Sequence, residues 1–306
     1  MVESFGERVN AKNSMNPLVL RPLLVERVWG VERLPAWYPQ PEPGRPVGEA
    51  WLTAEECTAS DGQTLGELAR RDPAAFGADA SGFPLLVKML FPREKLSVQV
   101  HPNDAEAQAL GQPRGKTECW YIVAAEPGAT IALGLVEPMT AAQIRAAIAD
   151  QTLEAKLRHL PVTAGDMVYV PAGTVHAIGP GVTVLETQEY SDITYRLYDY
   201  GRPRELHVEQ GLAVVRNSSD AGLVAPQAMP GFTRLVTSSY FVVDRYAING
   251  DAALPNLHTM QILVALSEGC SVGETALPAG WAVVVPASDV SYSLRGAGDV
   301  VRIALP

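Results

Sequence analysis

Hydrophobic residues in this chain fall in short runs, and many runs alternate apolar and polar positions with a period of two. That period is typical of β-strands, because successive strand side chains point to opposite faces of a sheet. Gly, Pro, Asn and Asp punctuate the runs and favour turns. Many short strands at this spacing predict a mostly β protein of antiparallel sandwiches or barrels. The predicted strands lie within 18–28, 84–90, 95–101, 119–125, 129–135, 166–172, 182–188, 192–200, 232–238, 240–248, 260–266, 281–287, 290–296 and 300–306.

Helical spacing, with apolar residues three and four apart, occurs in few places. It predicts helices over 64–77 and 103–111, a long helix over 139–160, and a weaker helix or turn over 204–215. Because 139–160 interrupts a series of strands, we interpret it as a helical insert in a β domain.

An internal repeat accompanies the strand pattern. TAGDMVYVPAGTVHAI (163–178) and LPAGWAVVVPASDVSYSL (277–294) share the pattern AG-x-x-V-x-VPA. Upstream of each, WYIVAAEPG (120–128) resembles QILVALSEG (261–269). The repeat predicts two related β-folds in one chain.

The repeat also predicts that the two halves differ in chemistry. On this alignment Ser291 stands opposite His176, and Thr259 stands opposite Glu118. The second copy keeps the apolar pattern without these polar residues, so the histidine and glutamate of the first copy serve chemistry more than folding. We expect no cluster of polar side chains in the second barrel.

The resulting domain prediction has four parts. We expect a loose tail at 1–16, a catalytic domain at 17–220 with its insert near 139–160, a linker at 221–231, and a ligand-free β domain at 232–306.

Composition narrows the compartment and the partners. The 306 residues are 47% hydrophobic and 19% charged, as in globular proteins, and the net charge is −10. An acidic protein without a basic face is a poor partner for nucleic acid or an anionic membrane. No apolar stretch approaches the ~18 residues of a membrane span, and the N-terminus lacks the pattern of a signal peptide. Three scattered cysteines, Cys57, Cys119 and Cys270, indicate a reducing cytoplasm.

The stretch LSVQVHP (96–102) places polar groups on one face of an otherwise apolar strand. Gln99 and His101 project together, as does Ser97, while Val98 and Val100 face the other way. Buried polar groups cost free energy unless they are satisfied, so this face needs a ligand or a partner.

Four residues form the candidate metal site: Gln99, His101, Glu118 and His176. Glu118 opens the next strand, and His176 ends a G-x5-P-x-G-x2-H segment, which is the spacing of the second cupin motif. Cupins are small jelly-roll barrels whose inward-facing ligands hold one metal. Two imidazoles, a carboxylate and an amide oxygen suit a divalent ion. His159, His207 and His258 have no such partners, and we interpret them as structural core histidines.

Six motifs in order resemble the type I mannose-6-phosphate isomerases, most closely the short bacterial form. They are GEAW (48–51), FPLLVK (83–88), LSVQVHP (96–102), GKTECWYI (115–122), VPAGTVHAIG (170–179) and ETQEYSDITYRLYDYGR (186–202). The resemblance runs from about residue 20 to 211. It implies two cupin-like jelly-roll domains, of which only the first carries a metal, and an enzyme that interconverts mannose 6-phosphate and fructose 6-phosphate.

Carried over residue by residue, the resemblance implies that Gln99, His101, Glu118 and His176 bind one Zn²⁺, with another divalent metal as an alternative. It implies that Ser97, Lys116 and Arg196 contact the substrate or its phosphate, with Lys116 and Arg196 in catalytic roles. Alternation along 192–200 places Thr194, Arg196 and Tyr198 on one side of their strand. A guanidinium matches phosphate geometry, and a lysine adds a point charge.

Isomerisation requires a base that moves a proton between adjacent carbons through an enediol. The sequence leaves the base open among Glu186, Glu189, Asp192, Lys116 and a metal-bound water. Two other classes also stay open, a metal-dependent cupin oxygenase and a non-catalytic sugar-binding or regulatory cupin. The expected partner is a hexose 6-phosphate, and the chain is expected to be a monomer or a homodimer.

Overall fold

A computed structural model describes residues 16–306. The predicted loose tail, 1–16, therefore lies outside the described residues except for Asn16. Within the described chain the protein is mostly β, as the alternating pattern predicts.

Three antiparallel sheets make up the fold. The first twelve strands are β1 (Leu18–Val19), β2 (Leu23–Val31), β3 (Val47–Trp51), β4 (Leu85–Leu90), β5 (Val98–Val100), β6 (Glu118–Ala125), β7 (Thr130–Leu135), β8 (Leu157–Pro161), β9 (Met167–Val170), β10 (His176–Ile178), β11 (Val182–Glu189) and β12 (Tyr195–Tyr198). The remaining nine are β13 (Gly222–Leu223), β14 (Gln227–Met229), β15 (Phe232–Thr237), β16 (Val242–Leu254), β17 (Gln261–Ala265), β18 (Cys270–Val272), β19 (Thr275–Leu277), β20 (Ala282–Val285) and β21 (Tyr292–Ala304).

Helices are few and short. They are α1 (Leu65–Arg71), α2 (Pro73–Phe76), α3 (Asp104–Gln108), α4 (Ala141–Ala149) and α5 (Val208–Val214), with one 3₁₀ turn at Leu153–Lys156. Helices α1, α3 and α4 begin with reciprocal capping boxes, which satisfy otherwise free backbone N–H groups. The capping pairs are Thr64–Glu67, Asn103–Glu106 and Thr140–Gln143.

Strands β2 to β13, within residues 23–223, form two sheets. A seven-stranded sheet has the order β13-β9-β6-β11-β4-β3-β2, and a five-stranded sheet has the order β12-β5-β10-β7-β8. One buried cluster joins their facing sides, with Trp120 and Ile122 from the first sheet against Ile131 and Leu133 from the second. The two sheets therefore pack as the two halves of one barrel.

Apolar layers cover both outer faces of this barrel. Ile144 and Ile148 of α4 and Val214 of α5 pack on the outside of the five-stranded sheet. The outside of the seven-stranded sheet packs on a third, nine-stranded sheet, where Met89 of β4 and Ile262 of β17 share one cluster. This stacking explains why β4 is buried at all six positions, Lys88 included.

The predicted long helix over 139–160 is wrong in its second half. The helix α4 ends at Ala149, and Leu157–Pro161 form the edge strand β8, which pairs with β7. The sequence of residues 158–161, RHLP, fits a helix as well as a strand. Pairing with β7 makes this segment a strand.

The C-terminal residues form the nine-stranded sheet, which also recruits β1 through its pairing with β20. Leu18 and Val19, which we assigned to the first domain, thus pair with the C-terminal sheet. The predicted linker 221–231 runs between sheets, since β13 pairs with β9 and β14 pairs with β15. The division into two domains stays a prediction.

The expectation that no polar groups cluster in the C-terminal region is wrong. Asp244 and Arg302, each 1% exposed, form a buried ion pair, and Arg234 and Gln261 complete it. The rings of Phe232 and Tyr246 flank Arg302, with its guanidinium carbon 5.2 and 5.4 Å from their centroids. Removing one partner of such a pair would leave an uncompensated buried charge.

Candidate metal centre and substrate cavity

Three strands bring the four sequence-predicted metal ligands together. Gln99 lies on β5, directly across from His176 on β10. Glu118 is the first residue of β6, in the opposite sheet, and His101 directly follows β5. The mouth of the barrel, where the two sheets approach each other, therefore collects residues that are up to 77 positions apart in the chain.

Three of these residues form a compact group. Single ligand atoms of His101, Glu118 and His176 all lie within 4.8 Å of one another. Glu118 Oε1 lies 3.3 Å from His176 Nε2, and Glu118 Oε2 lies 3.8 Å from His101 Nε2. All three residues are buried: His101 is 2% exposed, Glu118 is 0% exposed and His176 is 1% exposed.

Backbone carbonyls orient both imidazoles. His101 Nδ1 lies 2.7 Å from the carbonyl oxygen of Ile193, and His176 Nδ1 lies 2.9 Å from that of Thr174. A carbonyl can only accept, so each Nδ1 carries the proton and each Nε2 presents a lone pair towards Glu118. A hydrogen bond from the ring nitrogen that faces away from the ion is typical of histidines that bind metals.

Gln99 completes the group from the side of the cavity. Its Nε2 lies 3.2 Å from His176 Nε2, and its Oε1 lies 3.4 Å from Ser97 Oγ. Amide nitrogen and oxygen have nearly the same shape, and a half-turn of the amide exchanges them. Gln99 is therefore placed beside the three-residue group, as the alternation of LSVQVHP predicts.

The electrostatics of the group favour a cation. Burial lowers the pKa of His101 well below its usual value, with a further contribution from Lys116, and it lowers the pKa of His176 to about 4. Both imidazoles are thus neutral at pH 7. His101 Nε2 and Glu118 Oε1 are buried without a hydrogen-bond partner among the described residues, and Glu118 Oε2 likewise accepts no well-aligned hydrogen bond, although Lys116 Nζ lies 3.2 Å away. Such orphaned acceptors are costly, and a metal ion would satisfy all three.

A cavity of about 460 Å³ opens beside the group. It is lined by Glu26, Arg27, Val28, Trp29, Glu49, Lys88, Leu90, Leu96, Ser97, Gln99, Lys116, Glu186, Asp192, Thr194, Arg196 and Arg204. Ser97, Lys116 and Arg196, the predicted substrate contacts, all border this space. Its volume suits a small polar ligand such as a sugar phosphate.

Lys116 reaches the cavity from the segment before β6. Its Nζ lies 3.2 Å from Glu118 Oε2, and the side chain is almost fully buried. Burial lowers the pKa of Lys116, but the carboxylates of Glu118, Glu186 and Asp192 raise it more, so the net shift is upward. The amine is therefore protonated at neutral pH.

Arg196 lies at the other side of the cavity, on β12. Its Nη1 donates to the carbonyl of Glu205 at 2.7 Å, and its buried Nε has no acceptor among the described residues. Burial lowers the pKa of Arg196, and the nearby cations Arg204, Arg202 and Arg27 add to the effect although Asp199 opposes it. The neighbouring arginines give this position a positive potential that a bound anion would relieve.

The other three histidines lie outside the metal group. His207 contacts the backbone of Arg196, whose N–H donates to His207 Nδ1 at 3.3 Å. His159 and His258 are exposed, so the interpretation of these residues as core histidines is wrong for both. Tyr198 also departs from expectation. A register shift between Arg196 and Tyr198 turns the tyrosine to the outer face, where it packs with Leu197.

The residues that could act as the base differ in whether they border the cavity. Glu186, Asp192 and Lys116 border the cavity, whereas Glu189 does not. Lys88, which we did not single out from the sequence, also borders it. Its Nζ lies 3.8 Å from Glu186 Oε2 and 3.4 Å from Asp192 Oδ1. Its position within the apolar run FPLLVKML (83–90) is the sequence feature that could have identified Lys88 as a buried functional residue.

Glu189 holds the backbone instead of facing the cavity. Its Oε2 accepts the N–H of Thr117 at 2.7 Å. Burial, and after it the neighbouring Asp104, raise the pKa of Glu189, the Thr117 N–H lowers it, and the net value is about 8. Glu189 is therefore protonated at pH 7 and can donate to Asp104.

The raised pKa of Glu189 predicts a pH-dependent stability. The folded protein binds this proton more tightly than the unfolded chain, so the contribution of Glu189 is largest below pH ~4.3 and declines as pH rises towards 8. We expect Glu189→Gln, which cannot ionise, to gain about 1–3 kcal/mol over the wild type between pH 5 and pH 8.5. Urea unfolding at both pH values measures the difference. Asp104, Tyr169 and Tyr240 surround the group, and a pH-independent difference would contradict the assignment.

The fold and the site define a β-barrel protein of the cupin type, with a buried His–Glu–His group that can hold a metal ion beside a cation-lined cavity. Within the described part of the chain, every helix falls short of the length and apolarity needed to cross a membrane.

Comparisons with known proteins identify the family. A family model for the catalytic domain of type I phosphomannose isomerase matches residues 19–155. A mannose-6-phosphate isomerase from Streptococcus mutans is 34% identical over 93% of this chain and 97% of its own length. One from Bacillus subtilis is 36% identical over 83% of this chain and 86% of its own length. The chain therefore belongs to the type I mannose-6-phosphate isomerase family.

A solved structure agrees with this assignment. The crystal structure of a mannose 6-phosphate isomerase from Bacillus subtilis superposes with a TM-score of 0.86 at 30% sequence identity, and it covers 94% of this chain and 99% of that one. The predicted family and the mostly β fold are confirmed.

Proposed function

We propose that the protein is a zinc-dependent aldose–ketose isomerase that interconverts mannose 6-phosphate and fructose 6-phosphate. The observation that carries the proposal is the set of buried acceptors on His101 and Glu118, which lie beside a cavity with a cation at each side. The family of the chain supports the same reaction.

The metal would be held by His101, Glu118 and His176, with the Gln99 amide oxygen as a fourth ligand after the amide turns. Two neutral imidazoles, one carboxylate and one amide suit Zn²⁺, although other divalent ions share these donors. When bound, the ion supplies Lewis-acid stabilisation of developing oxygen charge. The second carboxylate oxygen and Lys116 Nζ stay within contact distance, at 3.2 Å.

The phosphate end of the substrate belongs at Arg196. This guanidinium has a free buried donor and stands in a positive potential from neighbouring arginines. The arginines around it are already paired with carboxylates, Arg27 with Glu49 and Arg204 with Asp199. Arg196 is thus the guanidinium of this cavity with capacity for a new anion. Ser97, buried beside Gln99, offers a hydroxyl near the sugar.

The proton transfer belongs to Glu186. It is buried between Lys88 and the Lys116 side of the cavity, and burial raises its pKa to about 7 against the opposing effect of Lys116. A base with a pKa near the working pH combines availability with strength. Lys116 is protonated and fits a different task, which is to stabilise the negative charge of the enediolate.

Replacing Glu186 by Gln is expected to lower kcat by ~10²–10⁴-fold, because the amide keeps the shape but cannot accept the proton. Bound metal should be unchanged. Solvent exchange of the substrate carbon-bound proton in D₂O, followed by NMR, reports the lost step. Asp192→Asn is the matched control, since Asp192 borders the same cavity with its side chain 61% exposed. Full activity in Glu186→Gln with a loss in Asp192→Asn would reassign the base.

A coupled assay that follows fructose 6-phosphate formation from mannose 6-phosphate tests the function itself. We expect turnover with metal-replete protein, and none of comparable rate with unphosphorylated mannose. A metal-replete protein that binds the sugar phosphate without turnover would instead indicate a binding cupin. Oxygen uptake without isomerisation would indicate an oxygenase.

The remaining properties follow from the same proposal. The partner is a hexose 6-phosphate and the compartment is the cytoplasm, consistent with three buried cysteines that form no disulfide with each other. Monomer and homodimer remain the alternatives for the assembly.

A further inference from the structure

The segment Gly115–Thr117, which carries Lys116 into the cavity, is held at every backbone N–H group. Gly115 N–H donates to Asp104 Oδ1 at 2.8 Å, and Lys116 N–H donates to the Pro102 carbonyl at 3.0 Å. Thr117 N–H donates to Glu189 Oε2 at 2.7 Å. Two of these three acceptors are carboxyl side chains, although a loop usually satisfies its backbone with water or other backbone groups.

The segment also packs closely against the backbone at the start of α3. A methyl group on Gly115 would lie 2.4 Å from the carbonyl carbon of Asn103 and 2.6 Å from the amide nitrogen of Asp104. The path of 115–117 is thus set by contact on one side and by carboxyl hydrogen bonds on both flanks.

The two carboxyl groups lie next to each other. Asp104 follows the capping residue of α3, and Glu189 ends β11. Their side chains are neighbours, and burial together with this contact raises the pKa of Glu189 to about 8. Because Glu189 is protonated at neutral pH, the two carboxyl groups can lie side by side while each keeps an oxygen for a backbone N–H.

A tyrosine from the C-terminal sheet reaches the same pair. Tyr240 lies in the turn between β15 and β16, and its side chain is next to Asp104 and Glu189. Burial and the neighbouring carboxyls raise the pKa of Tyr240 to about 12, so it is a donor at neutral pH. The C-terminal region therefore contributes to the support of Lys116 although it carries no predicted ligand.

We infer that the carboxyl groups of Asp104 and Glu189 position Lys116 in the substrate cavity by clamping the backbone of residues 115–117, with Tyr240 of the C-terminal sheet packed beside them. Both are positioning residues, because neither borders the cavity. The inference rests on the proposed function, in which Lys116 stabilises the enediolate. Displacing such a group by about 1 Å can cost ~10²-fold in rate.

Two substitutions at Glu189 separate positioning from folding. Glu189→Gln keeps an oxygen for Thr117 N–H and an N–H₂ for Asp104, so kcat/KM should stay within about threefold of wild type. Glu189→Ala removes both bonds and should lower kcat by ~10-fold or more, with bound metal unchanged. Glu209→Ala, at a side chain 72% exposed and paired with Arg145, is the matched surface control.

A double-mutant cycle tests whether the effect passes through Lys116. If it does, Glu189→Ala should cost ~10-fold or more in the wild type and less than twofold in a Lys116→Met background. The same cycle read on fructose 6-phosphate affinity by calorimetry gives a second measurement when turnover is low. Tyr240→Phe should reproduce part of the Glu189→Ala loss.

Equal losses for Glu189→Ala in both backgrounds would overturn the inference, as would full activity of Glu189→Ala or a Glu189→Gln enzyme as impaired as Glu189→Ala. These outcomes leave the wild-type isomerase intact. A metal-loaded wild type without isomerase activity would overturn the proposed function and this inference together, so the two failures are distinguishable.

Discussion

Replacing His176 by Ala is expected to remove the bound metal and at least ~10³-fold of the isomerase activity in one step, equivalent to about 4 kcal/mol of transition-state stabilisation. His176 Nε2 lies 3.3 Å from Glu118 Oε1, and its Nδ1 is fixed by the Thr174 carbonyl. The alanine variant leaves Glu118 and His101 with too few donors to hold an ion tightly. Metal content per chain and turnover measure the two effects.

The fold should survive this change. His176 lies on the three-residue strand β10, whose pairing with β5 and β7 uses backbone groups. Thermal unfolding of the metal-free variant should therefore match that of metal-free wild type to within a few degrees. His258→Ala, at a side chain 76% exposed, is the control and should keep metal and activity. Activity surviving in His176→Ala would refute the site.

Replacing Arg196 by Ala is expected to lower kcat/KM for mannose 6-phosphate by ~30- to 1,000-fold, since a charge-assisted pair to the phosphate contributes about 2–4 kcal/mol. The effect should vanish for unphosphorylated mannose, whose slow turnover does not use the pair. The preference for the phosphorylated sugar therefore collapses in the variant, and steady-state kinetics on both sugars measures it.

Two further variants sharpen the test of Arg196. Arg196→Lys keeps the charge but loses the fork of donors, so an intermediate loss is expected. Arg145→Ala removes a half-exposed arginine that pairs with Glu209 on the surface, and it should change nothing. An equal loss on both sugars in Arg196→Ala would show that Arg196 supports the cavity wall and does not bind the phosphate.

The four candidate ligands could be placed from sequence because strands impose a period of two and the motif spacings are rigid. Gln99 and His101 had to share a face, and the Pro-x-Gly turn before His176 sets its distance from β9. The family and mostly β fold follow from the same motifs and are confirmed. The pairing of β10 with β5, which joins His176 to Gln99, is a long-range contact that local pattern does not encode.

Other features depended on tertiary context. Residues 157–161 form a strand because β7 offers an edge, and the register shift in β12 moves Tyr198 out of the cavity. The buried pair of Asp244 and Arg302 looked like ordinary strand charges, since burial is decided by stacked sheets and aromatic neighbours. The cavity position of Lys88 could not be predicted for the same reason, because the stacking of the sheets is what buries its strand.

The different roles of Glu186 and Glu189 also could not be predicted from the local sequence pattern. Glu186 and Glu189 are three residues apart on one strand, so they point to opposite faces of the sheet. One borders the cavity and the other holds the Thr117 N–H. Strand alternation could have predicted that they differ, but the three-dimensional neighbours decide which of them faces the substrate.

The central claim is that His101, Glu118 and His176 hold one metal ion that the isomerisation needs. Chelator-stripped protein titrated with Zn²⁺, with turnover of mannose 6-phosphate followed at each step, tests it most directly. Activity should be negligible at zero metal and should rise linearly until it levels off at one equivalent per chain. Full turnover by the stripped protein, or a rise that continues unchanged in His176→Ala, would contradict it.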